Sequence, residues 1–167
     1  MKKLALTLLL LLGVSNIGLC STFFVNQSLI NIYLWAKFPI QKRILLNEIT
    51  LSNPEVDLQE KNQLVTTKIN FNINNNQKNI EGSIETQSSI IYENKSRFLI
   101  LKSPAIQKIS LNDGKEPPKN LMLSLNFLVS NILENFPIYK IDEELPLTGS
   151  SLNEIKIKNK GVEINYQ

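Results

Sequence analysis

From Ile49 onward, apolar and polar residues alternate for roughly sixty residues, a period of two that only extended strands can turn into one dry and one wet face. Val65, Thr67, Ile69, Phe71 and Ile73 share one side, and Thr66, Lys68, Asn70 and Asn72 share the other. An Asn-rich stretch over 74–79 reads as a turn, after which Ile80, Gly82, Ile84, Thr86, Ser88, Ile90 and Tyr92 resume the pattern. A second turn over Glu93–Ser96 leads into a long strand, Arg97–Leu111. Its Pro104 cannot donate a ladder hydrogen bond and marks an edge, bend or bulge. The chain is therefore constrained to an antiparallel meander whose dry face must be covered by something apolar.

A cover is encoded downstream. Pro117 and Pro118 open a helix predicted over Lys119–Phe136, and Pro137 closes it. At 100° per residue, Leu121, Met122, Leu125, Leu128, Val129, Ile132, Leu133 and Phe136 fall within an arc of about 140°. At about 1.5–3 kcal/mol per side chain these eight offer roughly 12–24 kcal/mol of gross burial, an upper bound that requires docking on an apolar surface. Leu123 and Phe127 lie outside the arc and are either capped by a loop or available to a ligand. The helix would be about 27 Å long, against about 33 Å for the strand from Leu64 to Ile73. Matched lengths let a curved sheet wrap the helix lengthwise and leave an apolar seam between them. A shorter helix is predicted over Gln27–Phe38, capped by Asn26 and stopped by Pro39. Apolar residues nearly encircle it, so it is either covered on both sides or partly exposed to a lipid or a partner. Ile155, Ile157, Val162 and Ile164 alternate with polar residues in a terminal strand or hairpin. The fold class expected is α+β.

Composition narrows the chemistry. The 167 residues contain no histidine and a single cysteine, Cys20. Imidazole bases, thiol nucleophiles elsewhere, disulfides and the usual zinc ligand sets are thereby absent from the chain. The tightest acidic group, Asp142, Glu143 and Glu144, lacks the alternating ligands and glycine of a calcium loop and reads as a solvated loop before Pro146. Glu81 with Glu85, and Glu154 with Glu163, could in principle pair for glycoside hydrolysis. Each sits opposite apolar positions, as the wet face of a half-buried sheet does. No glycine-rich phosphate loop is present. Setting Lys2 and Lys3 aside, 16 Lys plus Arg face 15 Asp plus Glu, without the basic excess of a nucleic-acid binder. Neither a catalytic residue nor a metal or cofactor is expected. Lys156, Lys158 and Lys160 on the last strands could touch anionic lipid or simply be solvated.

The N-terminus places this domain. Lys2 and Lys3, the apolar run from Leu4 to Val14 and a short polar exit form a secretory signal too short to span a bilayer as an ordinary helix. Residues 1–20 are read as the signal and 21–167 as one domain. Cys20 lies where a bacterial lipoprotein is acylated, although Leu19 replaces the small residue usual before the cysteine. Acylation there would hold the domain on a membrane, and ordinary cleavage would release it into the periplasm. Ser21, rather than Asp, after the cysteine fits sorting to the outer membrane.

The order of these pieces resembles one family, the YceB-like bacterial envelope lipoproteins. The resemblance rests on the signal with Cys20; on Ile30, Asn31, Leu34 and Lys37 in the first helix; on Leu51, Asn53 and Leu58 in the first strands; and on Tyr92 before the turn. It continues through Leu121–Phe136 into Pro137, Ile138 and Tyr139, and ends on Asn159, Lys160, Gly161, Val162, Glu163 and Ile164. The resemblance implies a fold similar to tubular lipid-binding domains, a long sheet wrapped around a long helix, with no catalytic residues. The expectation is an exported, non-enzymatic domain holding an acyl chain or another apolar molecule in its seam. Leu121, Leu125, Leu128, Val129, Ile132 and Phe136 would line it from the helix, and Phe71 and Ile84 from the sheet. The competing expectation is an interaction protein of the cell envelope that presents a surface to a protein partner.

Overall fold

The computed structural model describes residues 21–44, 47–75, 78–141 and 152–166. Nine strands and two helices follow in the order β1 (Ser21–Asn26), α1 (Gln27–Trp35), β2 (Ile40–Ile44), β3 (Asn47–Gln59), β4 (Leu64–Asn75), β5 (Lys78–Glu93), β6 (Phe98–Leu111), α2 (Lys119–Leu133), β7 (Pro137–Lys140), β8 (Leu152–Lys158) and β9 (Gly161–Tyr166). Strands β2 to β7 pair in sequence order into one antiparallel sheet that curls strongly into a half-barrel. The α+β class and the predicted meander, which covers β3 to β6, are thus observed, and β2 and β7 add an unpredicted strand at each edge. Strand β1, unpredicted, joins the terminal hairpin in a separate three-stranded sheet ordered β1-β9-β8. Its pattern is short, and its pairing with Gly161–Tyr166 spans most of the chain.

Bulges produce the curl and keep the dry face dry. Ile49 and Leu51 are odd-numbered, whereas Val56 and Leu58 are even-numbered. One extra residue in β3, between Ser52 and Glu55, reverses the alternation so that all four face inward. Asn53 accommodates the bulge in the left-handed region, at φ 49°. Strand β6 carries two such irregularities against β5, one of them at Ser103 and Pro104, with Ser103 at φ 52°. Pro104 therefore marks a bulge. At Gly82 an added Cβ would stand 2.3 Å from the Ser110 carbonyl oxygen and 2.8 Å from the Phe71 ring. Only glycine lets that ring lie across β5.

Both helices begin where expected and end sooner. Asn26 caps α1, its Oδ1 accepting from the Ser28 amide at 2.8 Å. The helix stops at Trp35 rather than Phe38, because Lys37 N–H and Phe38 N–H both turn back to the Leu34 carbonyl ahead of Pro39. Helix α2 stops at Leu133 rather than Phe136. Glu134 is already extended, Asn135 N–H reaches Leu101 O at 2.9 Å, and Leu101 N–H reaches Phe136 O at 3.0 Å. Pairing with β6 thus outcompetes the last helical turn.

Side chains divide the concave face in two. One cluster gathers Ile30 and Leu34 of α1 with Val56, Leu58, Val65, Tyr92, Leu99, Leu101 and Ile138, beneath Val25, Ile157, Val162 and Ile164 of the small sheet. The other gathers Leu121, Leu125, Leu128, Val129 and Leu133 of α2 with Ile49, Leu51, Ile69, Phe71, Ile73 and Ile84. Phe38 and Phe136 pack on both clusters and meet edge to face, 5.8 Å between ring centres. Between the clusters runs a belt of buried Pro54, Thr67, Thr86 and Ser88.

Candidate functional site

The predicted seam residues are brought together. Leu121, Leu125, Leu128 and Val129 project from α2 onto Phe71 and Ile84, with Ile132 and Phe136 half-buried at the margin of the same cluster. Residues three and four apart on a helix share a face, and seven of the eight arc residues pack on this cluster; Met122, at the edge of the arc, is instead 41% exposed. The seam, however, is closed along its middle. Leu125, Leu128, Phe71 and Ile84 leave 2% or less of their surface open to a water-sized sphere, so protein side chains fill this space. A chain-shaped guest could enter there only by moving α2 off the sheet.

The seam opens at one end. A pocket of about 570 Å³ lies where the sheet meets the N-terminal end of α2, and Ile80, Leu111 and Leu121 give it an apolar floor. Asn79, Glu81, Asn112, Asp113, Lys115, Glu116 and Pro118 form its rim. The sequence predicted the helix residue Leu121 here but not the pocket, which depends on how the β6-to-α2 connection folds over the sheet end. The Glu81 carboxylate accepts from the Asn72 amide at 3.0 Å, the Asn79 amide at 2.9 Å and the Asn112 amide at 3.4 Å. Lys115 pairs with Asp113 at 3.1 Å.

The two ends of α2 are held differently. At its C-terminal end, Glu134 accepts from the Ser103 amide at 2.8 Å and pairs with Lys102 at 3.3 Å. The N-cap, Pro118, has no side-chain hydrogen bond. The pocket lies beside that N-terminal end.

A second depression, about 1090 Å³, lies between α1 and the β3 bulge and is lined by Ile32, Trp35, Phe38, Pro39 and Pro54 among others. Leu29, Ile32 and Trp35 are exposed on the outer side of α1, and Leu123 and Phe127 on the outer side of α2. Of the two alternatives for Leu123 and Phe127, exposure is the one observed among the described residues, at 72% and 61%.

The carboxylates considered for catalysis are dispersed. Glu81 and Glu85 alternate with the inward residues of β5, Glu154 pairs with Lys156 at 2.6 Å, and Glu163 lies 3.7 Å from Lys158. Glu154, by hydrogen bond and charge, holds the exposed Lys156 ammonium above its ordinary pKa. Asp142, Glu143, Glu144 and Cys20 lie outside the described residues. Among the described residues, no three Cys, Asp or Glu side chains gather as a metal site would require, and no helix is long and apolar enough to cross a membrane.

Among the described residues, Tyr92 is a titratable group in the core. Burial pushes the Tyr92 phenol above its usual pKa, with Arg97 opposing in part, and its hydroxyl has no hydrogen-bond partner.

No curated protein matches the chain. A family profile, described as a protein of unknown function (DUF1439), matches residues 25–161, from the end of β1 to the start of β9. The landmarks named above, from Ile30 and Asn31 to Gly161, fall almost entirely within that span, and by this match the chain belongs to the DUF1439 family.

Proposed function

We propose that this protein is an exported, non-enzymatic envelope domain of the YceB-like lipoprotein kind, and that it holds an acyl chain or similar apolar molecule between α2 and the curled sheet. One observation carries the reading: a helix laid lengthwise on a concave apolar sheet, with a pocket at its N-terminal end floored by Ile80, Leu111 and Leu121. The chemistry would be burial alone, at about 25 cal/mol per Å² of apolar surface removed from water. Because the middle of the seam is closed, uptake would begin at the pocket and displace α2, with the Glu134 contacts to Lys102 and Ser103 as the pivot. The secretory signal and Cys20 support a periplasmic setting, with attachment to the outer membrane through an acylated Cys20.

Native mass spectrometry of the protein purified from cell envelopes tests this directly. Added masses that extract into organic solvent as lipid are expected. Repeated recovery without lipid, together with no uptake of a fluorescent fatty acid, would overturn it. The mass of the mature N-terminus decides anchoring.

A second reading is favoured by a different observation, the exposed Leu29, Ile32 and Trp35 beside the depression at Pro54. On that reading the seam is core and the outer face of α1 meets a protein partner. Crosslinking in cells separates the two, since a stable protein partner on a lipid-free domain supports presentation over carriage.

A further inference from the structure

The belt between the two clusters carries two hydroxyls that the fold leaves unused. Thr67 and Ser88 are 2% and 1% exposed, and neither hydroxyl oxygen has a hydrogen-bond partner. Thr86, between them on the same face, donates to the Thr67 carbonyl at 3.4 Å. Leaving a hydroxyl dry and unpaired costs about 1–3 kcal/mol, and valine or alanine would fill these places without that cost. Ser88 stands opposite the Ser103–Pro104 bulge, where β6 departs from regular pairing. The ladder of β4 and β5 runs from the pair Ile73 and Ile80, at the pocket, through Phe71 and Gly82 to Thr67 and Thr86. Six residues of strand place the belt about 20 Å along the sheet from the pocket. The hydroxyls therefore mark the inner end of the α2 seam.

We infer that Thr67 and Ser88 form a polar subsite that hydrogen-bonds an uncharged polar group, such as a hydroxyl or an ester, on the apolar molecule held in the seam. The inference rests on the seam being a binding site. An ionised group is disfavoured because the clusters on either side, and the rings of Phe38 and Phe136 that join them, offer no opposite charge. A wholly apolar guest would leave both hydroxyls as they are. The ligand class is thus a chain with a neutral hydrogen-bonding end, inserted end first.

The test uses the purified protein loaded with N-phenylnaphthylamine, a neutral fluorescent probe, and displaces it with decanol or with chlorodecane. Chlorodecane is the more hydrophobic of the two, so burial alone would favour it. The wild type should prefer decanol, and in the Thr67→Val/Ser88→Ala variant that preference should fall about tenfold, the equivalent of roughly one recovered hydrogen bond. An unchanged preference in the variant means that the hydroxyls hold buried water or nothing, and overturns the subsite while leaving the seam. Failure of the probe and both compounds to bind overturns the seam itself. Should the double variant misfold by circular dichroism, Ser88→Ala alone must still lower the preference about threefold, or the subsite is rejected.

Discussion

The half of the sheet beneath α1 and the half beneath α2 each bury an apolar cluster but are sealed by different means. Under α1, side-chain amides do the sealing. Beyond its pairing with β2, the edge of β3 is met by Gln27, Asn31 and Trp35, one helical turn apart. Gln27 accepts from Leu58 N–H at 2.9 Å, Asn31 both accepts from Val56 N–H and donates to Val56 O, and Trp35 donates to Pro54 O at 2.9 Å. Gln63 satisfies both backbone groups of Ile157 in β8 in the same way. An exposed edge is thereby closed to other strands. Along α2, by contrast, no side-chain hydrogen bond to the sheet is observed among the described residues until Glu134, and shape alone holds the helix. Directional bonds fix a geometry, whereas apolar contact is non-directional and tolerates sliding and replacement. The α1 half is thus held by directional bonds and the α2 half by apolar contact, and on the proposed function it is the α2 half that would exchange its own side chains for a guest.

The largest effects should come from carving a cavity in each half. Leu34→Ala and Leu125→Ala remove fully buried side chains, and each should cost about 2–5 kcal/mol in chemical denaturation. The contrast between the halves predicts that added decanol restores part of the loss in Leu125→Ala and none in Leu34→Ala. Equal rescue in both would break the comparison.

A smaller effect sharpens it. Asn31→Ala leaves Val56 N–H and C=O without their side-chain partner and should cost about 1–3 kcal/mol. Faster hydrogen exchange should be confined to β3 beyond the bulge, with the amides of α2 unchanged. Acceleration across both halves would mean that they open as one unit.

The smallest concerns Tyr92, within the α1 half. Its folded-state pKa lies above the ordinary value near 10, so the unfolded chain releases the phenolic proton first as pH rises. The contribution of Tyr92 is complete below about pH 10 and is lost as pH climbs from there through the folded-state pKa. Tyr92→Phe should raise stability at neutral pH by about 1 kcal/mol, since it removes a buried hydroxyl that has no partner. It should also flatten the alkaline limb of a stability-versus-pH curve, and an unchanged limb would place the titrating group elsewhere.

Much of this arrangement was legible in the chain. Alternation over Val65–Ile73 and Ile80–Tyr92 assigned the inward side chains, including Thr67, Thr86 and Ser88, whose interruption of two apolar rows was the visible trace of the belt. The 3.6-residue period did the same for α2 apart from Met122, which is exposed, and Asn26 and the prolines bounded both helices within three residues. The parity reversal between Leu51 and Val56 was not legible, because a bulge is a relation between two strands and appears in neither alone. Nor was the third strand of the small sheet, since β1 pairs with residues near the far end of the chain.

Local periodicity and the prolines and caps at element ends determined by themselves the strands β4 and β5, the two helices and most of their inward-facing residues, since those properties depend on neighbours within a turn or two. Only the tertiary structure decided that the seam is filled along its middle and open at the end of α2, that amides rather than apolar contacts close the β3 edge, and that two hydroxyls are stranded between the clusters. Each of these depends on how closely surfaces distant in sequence approach, and that distance is set by packing and bulges rather than by any residue's own preference.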